Sequence, residues 1–323
     1  MLALSLLTAT AAGGASSHAA GDTKRACVYS AHSIGVLHSF DRLVHRDFNC
    51  ALVFNNAAPH WWDWETPWFA RHIKPDTDWA KWATQPGTNR QLIISQSLFP
   101  DSLNHRNWRQ AGARGRYMGH ARALARYLVS QGLGSSVIRL SHEANGTWGP
   151  DNIGTTRRQF RLWVRFWRNT VIAMRSVRGA NFKFDWCINA AVRAIPLKDF
   201  YPGDDVVDII GVDAYDSGVK GTGDRWSTIF NRPDGVKDVI AFARAHHKPM
   251  SIPEWGVAPT WKAESGGDDA EYVNGIAGVV RDNPVAYQSY FFNHQWASQL
   301  VHGARSLAAY KRHFGGSGDS VGH

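Results

Sequence analysis

Two short stretches of the chain run out of apolar residues at a glutamate. Residues 139–148, RLSHEANGTW, carry Glu143, and residues 251–256, SIPEWG, carry Glu254. A pair of carboxylates is what glycoside cleavage requires, one to protonate the leaving oxygen and one to attack the anomeric carbon. A single glutamate at a strand end is ordinarily a solvated loop residue. Two of them, each beside Trp, His or Asn, point to one site. The sequence contains no phosphate loop, serine elbow or metal-spaced histidine cluster to compete with them, so neither metal nor cofactor is expected.

The elements that must position the two glutamates are visible as alternation. Short β-rich runs at residues 34–38, 51–56, 91–97, 136–143, 182–189, 207–215, 249–255 and 287–293 are separated by amphipathic helical stretches. Eight strands alternating with helices close a (β/α)8 TIM barrel, the fold class expected for a single domain. No G-x-G-x-x-G follows the first run, which argues against an open doubly wound sheet. In a barrel the active site lies at the C-terminal face, so Glu143 and Glu254 belong to the mouths of strands four and seven. A period of two puts Arg139, Ser141 and Glu143 on one face, and Met250 and Ile252 below Glu254 on the inward side. Arg139 and Tyr215, with Asp213 beneath it, are then placed to donate to Glu254 and keep it ionised. Arg139 suits an internal ion pair equally well, and Tyr215 suits rim packing.

These motifs carry a family resemblance. RLSHEANGTW resembles the acid/base motif of glycoside hydrolase family 26, the mainly β-mannanase family of clan A; IIGVDAYD resembles its sixth strand and PEWG its nucleophile strand. The resemblance implies a retaining enzyme with Glu143 as general acid/base and Glu254 as nucleophile. It also implies that His142 and Asn145 shape the subsite around the scissile bond, that Arg139 and Tyr215 hold the nucleophile, and that Trp296 floors the cleavage subsite. Leu140 stands where family members usually carry Pro, and TWGP follows Gly146. Another β-glycan (glucan, xylan, galactan or a wall polymer) is therefore an alternative to mannan. A catalytically silent glycan-binding barrel is the alternative outside enzymes.

Fifteen Trp in 323 residues exceed ordinary usage and suggest flat faces kept for pyranose rings as well as core. The stretch PHWWDWETPWF after the second run holds Trp61, Trp62, Trp64 and Trp68, expected to divide between stacking platforms and packing. Trp148 and Trp255 follow strands four and seven and are expected at the same mouth. Trp163 and Trp167, four apart on a helix, read as core. His38 is expected at the end of the first strand, touching substrate or packed at the rim, and His246-His247 at a helix end outside the site.

A net charge of +9 invites a nucleic-acid reading. The arginines of residues 157–178, however, alternate with apolar residues at helical spacing, as on a solvated helix face. Adhesion to an anionic wall or acidic polymer suits the charge better, and no nucleic-acid partner is expected. Residues 1–20 read as a secretory leader, residues 21–314 as the catalytic domain and residues 315–323 as a mobile tail. Secretion to the exterior or cell wall, a poly- or oligosaccharide partner and no membrane insertion follow. Of three cysteines, Cys27 and Cys50 are expected to pair and Cys187 to pack inside a strand.

Overall fold

The structure, a computed structural model, describes residues 25–55, 58–103, 107–190, 195–219, 224–257, 265–293 and 303–316. Eight parallel strands close a barrel in sequence order. They are β1 (Arg25–Tyr29), β2 (Cys50–Asn55), β3 (Gln91–Gln96), β4 (Val137–Leu140), β5 (Lys183–Asn189), β6 (Ile209–Asp216), β7 (Met250–Val257) and β8 (Val285–Phe291). β8 pairs back onto β1, from Arg25 opposite Tyr287 to Tyr29 opposite Phe291. The chain is thus a (β/α)8 TIM barrel.

Alternation along each strand divides the core in two. Val28, Val53, Ile94, Ile138, Phe184 and Ile210 face outward and pack under the helices, while Tyr29, Leu52, Ile93, Val137, Ile209 and Tyr287 fill the barrel interior. The helix Arg157–Arg175 shows how local sequence makes the outer layer. Phe160, Trp163, Trp167, Val171 and Met174 recur at helical spacing and are buried, the Arg residues lie between them, and Thr156 and Gln159 cap its start reciprocally. Trp163 and Trp167 are core, as expected.

The first strand is displaced from its expected place. Residues 34–38 open the helix Ile34–Val44, whose Ser33 caps Val36 N and whose buried Leu37, Phe40, Asp41 and Val44 keep a 3.6 period. The strand is instead RACVY, Arg25–Tyr29, a few residues after the leader-like region. His38 accordingly lies exposed on a helix, away from any strand end. The histidine that follows β1 is His32.

Cys27 and Cys50 form a disulfide between β1 and β2, one step before the Val28–Ala51 pairing, and close a loop 23 positions long inside the barrel. Cys187 is free and buried on β5. Residues 1–24 and Trp296 lie outside the described residues, as do residues 317–323, most of the expected tail. No helix among the described residues is long and apolar enough to cross a membrane.

Candidate active site

Arg139 is the centre of the barrel mouth. It is fully buried on β4, with Nη1 donating to Glu254 Oε1 at 2.5 Å and to Ser95 Oγ at 2.9 Å, and Nη2 donating to Asp213 on β6. Tyr215, two residues further along β6, donates its hydroxyl to the other oxygen, Glu254 Oε2, at 2.7 Å. Both oxygens of Glu254 are therefore engaged by donors. Burial and the neighbouring Glu254 charge hold the Tyr215 phenol well above its ordinary range, so it stays a donor.

Glu254 reaches this position through an irregularity. Ser251 points inward and donates to Asp185 at 2.6 Å, and Glu254, three residues on, points inward as well. Strict alternation forbids that pair, and the register between β7 and β8 shifts between Ile252 and Trp255 to allow it. Met250 and Ile252 consequently face the outer layer rather than lying beneath Glu254. Trp255 is turned the same way: it is fully buried against Tyr272, Tyr290, Tyr310 and Phe314, with Nε1 donating to Gln288 at 2.5 Å. It is helix-layer packing, not a rim platform.

Glu143 is delivered by a turn. β4 ends at Leu140, and Ser141 and Glu143 both adopt φ of 52°, a left-handed conformation that costs non-glycine residues about 1–3 kcal/mol each. The turn is held because Ser141 N donates to Gln96 O at 2.7 Å and Glu143 N to Cys187 O at 3.0 Å. Half-buried Glu143 accepts from Asn189 Nδ2 at 2.6 Å through Oε1 and from Trp148 Nε1 at 2.8 Å through Oε2. Burial, and next the negative charge of Glu254, raise its carboxyl above the ordinary range. An oxygen from each of Glu143, Asp213 and Glu254 lies within 4.8 Å of the others. Burial likewise raises Asp213 despite its ion pair with Arg139. Oxygens this close could contact one cation, a role the Arg139 guanidinium fills for Asp213 and Glu254.

Trp148 folds back over Glu143 because residue 146 is glycine. A Cβ there would meet the Trp148 ring at 2.5 Å. With 55% of its surface exposed, Trp148 offers a free ring face at the mouth. Asn145 sits one step behind: it donates to Asn189 O at 2.9 Å and accepts from Asn189 N at 3.0 Å, so it fixes the residue that holds Glu143. His142 borders the mouth, its ring 5.4 Å from that of Phe54, and burial, reinforced by Arg139, keeps its imidazole neutral.

The rest of the wall is aromatic. Tyr29 stacks on Phe291 at 4.2 Å, and Phe54 meets Tyr29, Phe291 and His142 edge-on. Burial, with help from the Glu254 charge, pushes the Tyr29 hydroxyl up to about 12, and burial brings His32 down to about 4. Of the tryptophans after β2, Trp64 is buried and donates to Ser97 O, Trp68 donates to Phe54 O, and Trp61 stacks on His120 at 3.7 Å. Trp62 is 62% exposed and carries Arg71 at 4.2 Å from its ring centroid, so it presents a surface, whereas Trp64, also expected to bind substrate, is core.

Sequence reasoning brought together Arg139, His142, Glu143, Trp148, Tyr215 and Glu254, and omitted Asn189, Tyr29, His32, Phe54 and Phe291. Asn189 ends β5 and obeys the rule that singled out the glutamates, a polar residue at the C-terminal end of a barrel strand. Tyr29 and His32 were hidden by the misplaced first strand.

Comparisons with known proteins agree with this geometry. A family model described as glycosyl hydrolase family 26 matches residues 50–283. A curated relative, Endoglucanase H of Acetivibrio thermocellus, is 27% identical over 191 residues, covering 55% of this chain. The matched segment spans only 20% of that relative's length. Among solved structures, a Bacillus subtilis mannanase superposes with a TM-score of 0.59 at 15% identity, covering 93% of this chain and 90% of that one. A modular endo-β-1,4-mannanase from Cellulomonas fimi gives 0.57 at 17% identity, covering 83% and 65%. At those identities the structures speak for the fold, while the family model spans most of the chain and its motifs. The chain belongs to glycosyl hydrolase family 26.

Proposed function

We propose that the protein is a secreted glycoside hydrolase that cleaves a β-linked polysaccharide by double displacement with retention, most simply as an endo-β-1,4-mannanase. The observation that carries this is the asymmetry of two close glutamates. Glu254 accepts from Arg139 and Tyr215 through separate oxygens, while burial, and next the charge of Glu254, favour the protonated form of Glu143. One is thereby a nucleophile and the other an acid. Their oxygens, within 4.8 Å, suit the close spacing of about 5–5.5 Å used in double displacement rather than the wider gap that admits a water.

In the first step Glu254 attacks the anomeric carbon while Glu143 gives its proton to the leaving oxygen. In the second, Glu143 takes a proton from water, which attacks the same carbon and frees Glu254. Neutral His142, Asn189, Trp148, Tyr29 and Phe54 border the sugar, and Trp62 provides a face farther along the mouth. Asn145 acts through Asn189. Secretion is supported by the leader-like first 20 residues and by the Cys27–Cys50 bridge, which persists in oxidising compartments. A basic surface suits contact with an anionic wall.

The mannan assignment draws on the mannanase structures that share the fold. The curated relative's name, Endoglucanase H, favours β-glucan as the second reading. Reducing-end release from β-mannan, glucomannan, xylan and β-glucan, run beside Glu254→Ala, decides between them. Release from one polymer that vanishes in the variant supports the reading and names the substrate. Binding without release, unchanged by Glu254→Gln, would turn the protein into a lectin.

A further inference from the structure

Trp148, whose Nε1 donates to Glu143, also lines an open groove of about 550 Å³ together with Trp108, Arg109, Thr147, Asn152 and Asp101. Arg109 is built into it. Its Nε and Nη2 donate to Asn152 O at 3.2 and 2.7 Å, Nη2 donates also to Asn152 Oδ1 at 2.9 Å, and the guanidinium lies 4.2 Å from the Trp108 ring centroid. Asn152 is itself pinned by donating to Gly149 O at 2.8 Å. Among the described residues Nη1 of Arg109 has no acceptor and Arg109 has no ion pair. A half-buried guanidinium held flat with one edge open is preorganised for an oxyanion.

The chemistry continues along the same rim. A neighbouring hollow of about 720 Å³, bordered by Leu103 of the same loop, is lined by Trp61, Tyr117 and exposed Arg116, which forms no ion pair among the described residues. Among the described lining residues Asp101 is the acidic one, and burial holds its carboxyl above the ordinary range; Asp151 also acts on Arg109 by its charge. The whole chain carries a net charge of +9, of the sign that draws anionic polymers in.

We infer that this groove is a subsite for the glycan on the leaving-group side of the cleaved bond, and that it takes a carboxylate-bearing sugar, whose oxygens meet Arg109 Nη1 while its ring packs on Trp148. The inference rests on the hydrolase reading above, because it is Glu143, beside Trp148, that protonates the leaving sugar. It adds a substrate class: a polymer with uronate residues or uronate side groups, rather than a wholly neutral one.

The test uses two forms of one polymer, galactomannan and the same galactomannan with its galactosyl C6 oxidised to carboxylate. For the wild type, kcat/KM on the acidic form should exceed that on the neutral form about tenfold, the size of one charge-assisted hydrogen bond. In Arg109→Gln the ratio should fall toward one, and in Arg109→Lys, which keeps the charge but loses the fork, it should fall partway. Arg165→Gln removes an equal charge from the exposed face of the helix Arg157–Arg175 and should leave the ratio as it is. A wild-type ratio near one, or an equal fall in Arg165→Gln, overturns the inference. If neither polymer is cleaved, the mannanase reading is what fails. Retardation of the same four proteins in gels cast with each polymer then reads carboxylate binding directly, and equal retardation of wild type and Arg109→Gln overturns the subsite.

Discussion

The Trp148 indole nitrogen lies 2.8 Å from Glu143 Oε2, and the loop between them closes because Gly146 leaves room for the ring. A donor on a carboxylate stabilises its ionised form, so this bond draws the Glu143 pKa down against the burial that raises it. Trp148→Phe removes the donor and keeps a ring. The basic limb of the pH profile of kcat/KM, which reports the free enzyme's essential acid, should move to higher pH, and KM should rise severalfold. An unmoved basic limb would mean that Glu143 does not govern it.

Glu143→Ala separates the two chemical steps. With polysaccharide, whose leaving group needs a proton, kcat should fall about 10²–10⁴-fold. With a dinitrophenyl glycoside, whose leaving group needs none, the first step should survive and a burst of phenolate should precede slow turnover. Azide should then restore turnover and yield a glycosyl azide of unchanged anomeric configuration. Inverted product would refute double displacement.

Asp41 gives a pH dependence of stability away from the site. It lies on the buried face of the first helix, where burial raises its pKa from the ordinary value of 3.8 to about 7, even though Phe48 N donates to it at 3.2 Å. The folded state therefore binds more protons than the unfolded one between those values, and this group's contribution to stability is lost as pH rises from about 4 to about 7. Asp185 and Asp216, each raised by burial to about 6, act in the same sense. Asp41→Asn keeps the acceptor for Phe48 N and should raise the unfolding midpoint at pH 7.5 while changing it little at pH 4. Urea denaturation at the two pH values measures the difference.

The Cys27–Cys50 bridge closes a loop 23 positions long between adjacent strands of the barrel. Replacing both cysteines by alanine should cost about 3 kcal/mol of stability by the chain-entropy relation. Because the bridge lies below the mouth, kcat of the folded double variant should be preserved. Denaturation and activity of the same preparation test the two halves of this expectation.

The barrel was legible because parallel strands buried on both faces read as apolar runs, and seven of the eight lay where those runs were. The first strand was not: RACVY is short and comes close behind the leader-like residues 1–20, and the helix after it begins with an apolar run that looks like a strand. The link from Arg139 and Tyr215 to Glu254 could be read from strand order and a period of two. The parity of Glu143 could not, since two left-handed residues replace the strand there, nor could that of Glu254, since a bulge in β7 does. Tryptophans were the weakest signal. Trp148 and Trp62 present faces while Trp64 and Trp255 are core, and what separates them is tertiary packing that no local pattern records.

The closeness of Glu143 to Glu254 has a consequence in time as well as in space. Part of what keeps Glu143 protonated is repulsion from the Glu254 charge. When, in the proposed mechanism, Glu254 becomes an ester, that charge is gone, and the proton affinity of Glu143 drops just after it has donated. The residue then waits as an anion beside the incoming water, the state a base requires. Hydrolysis of the ester returns the charge and re-arms the acid. The same oxygen-to-oxygen gap would thus act as a two-stroke timer, each carboxylate resetting the other once per turnover.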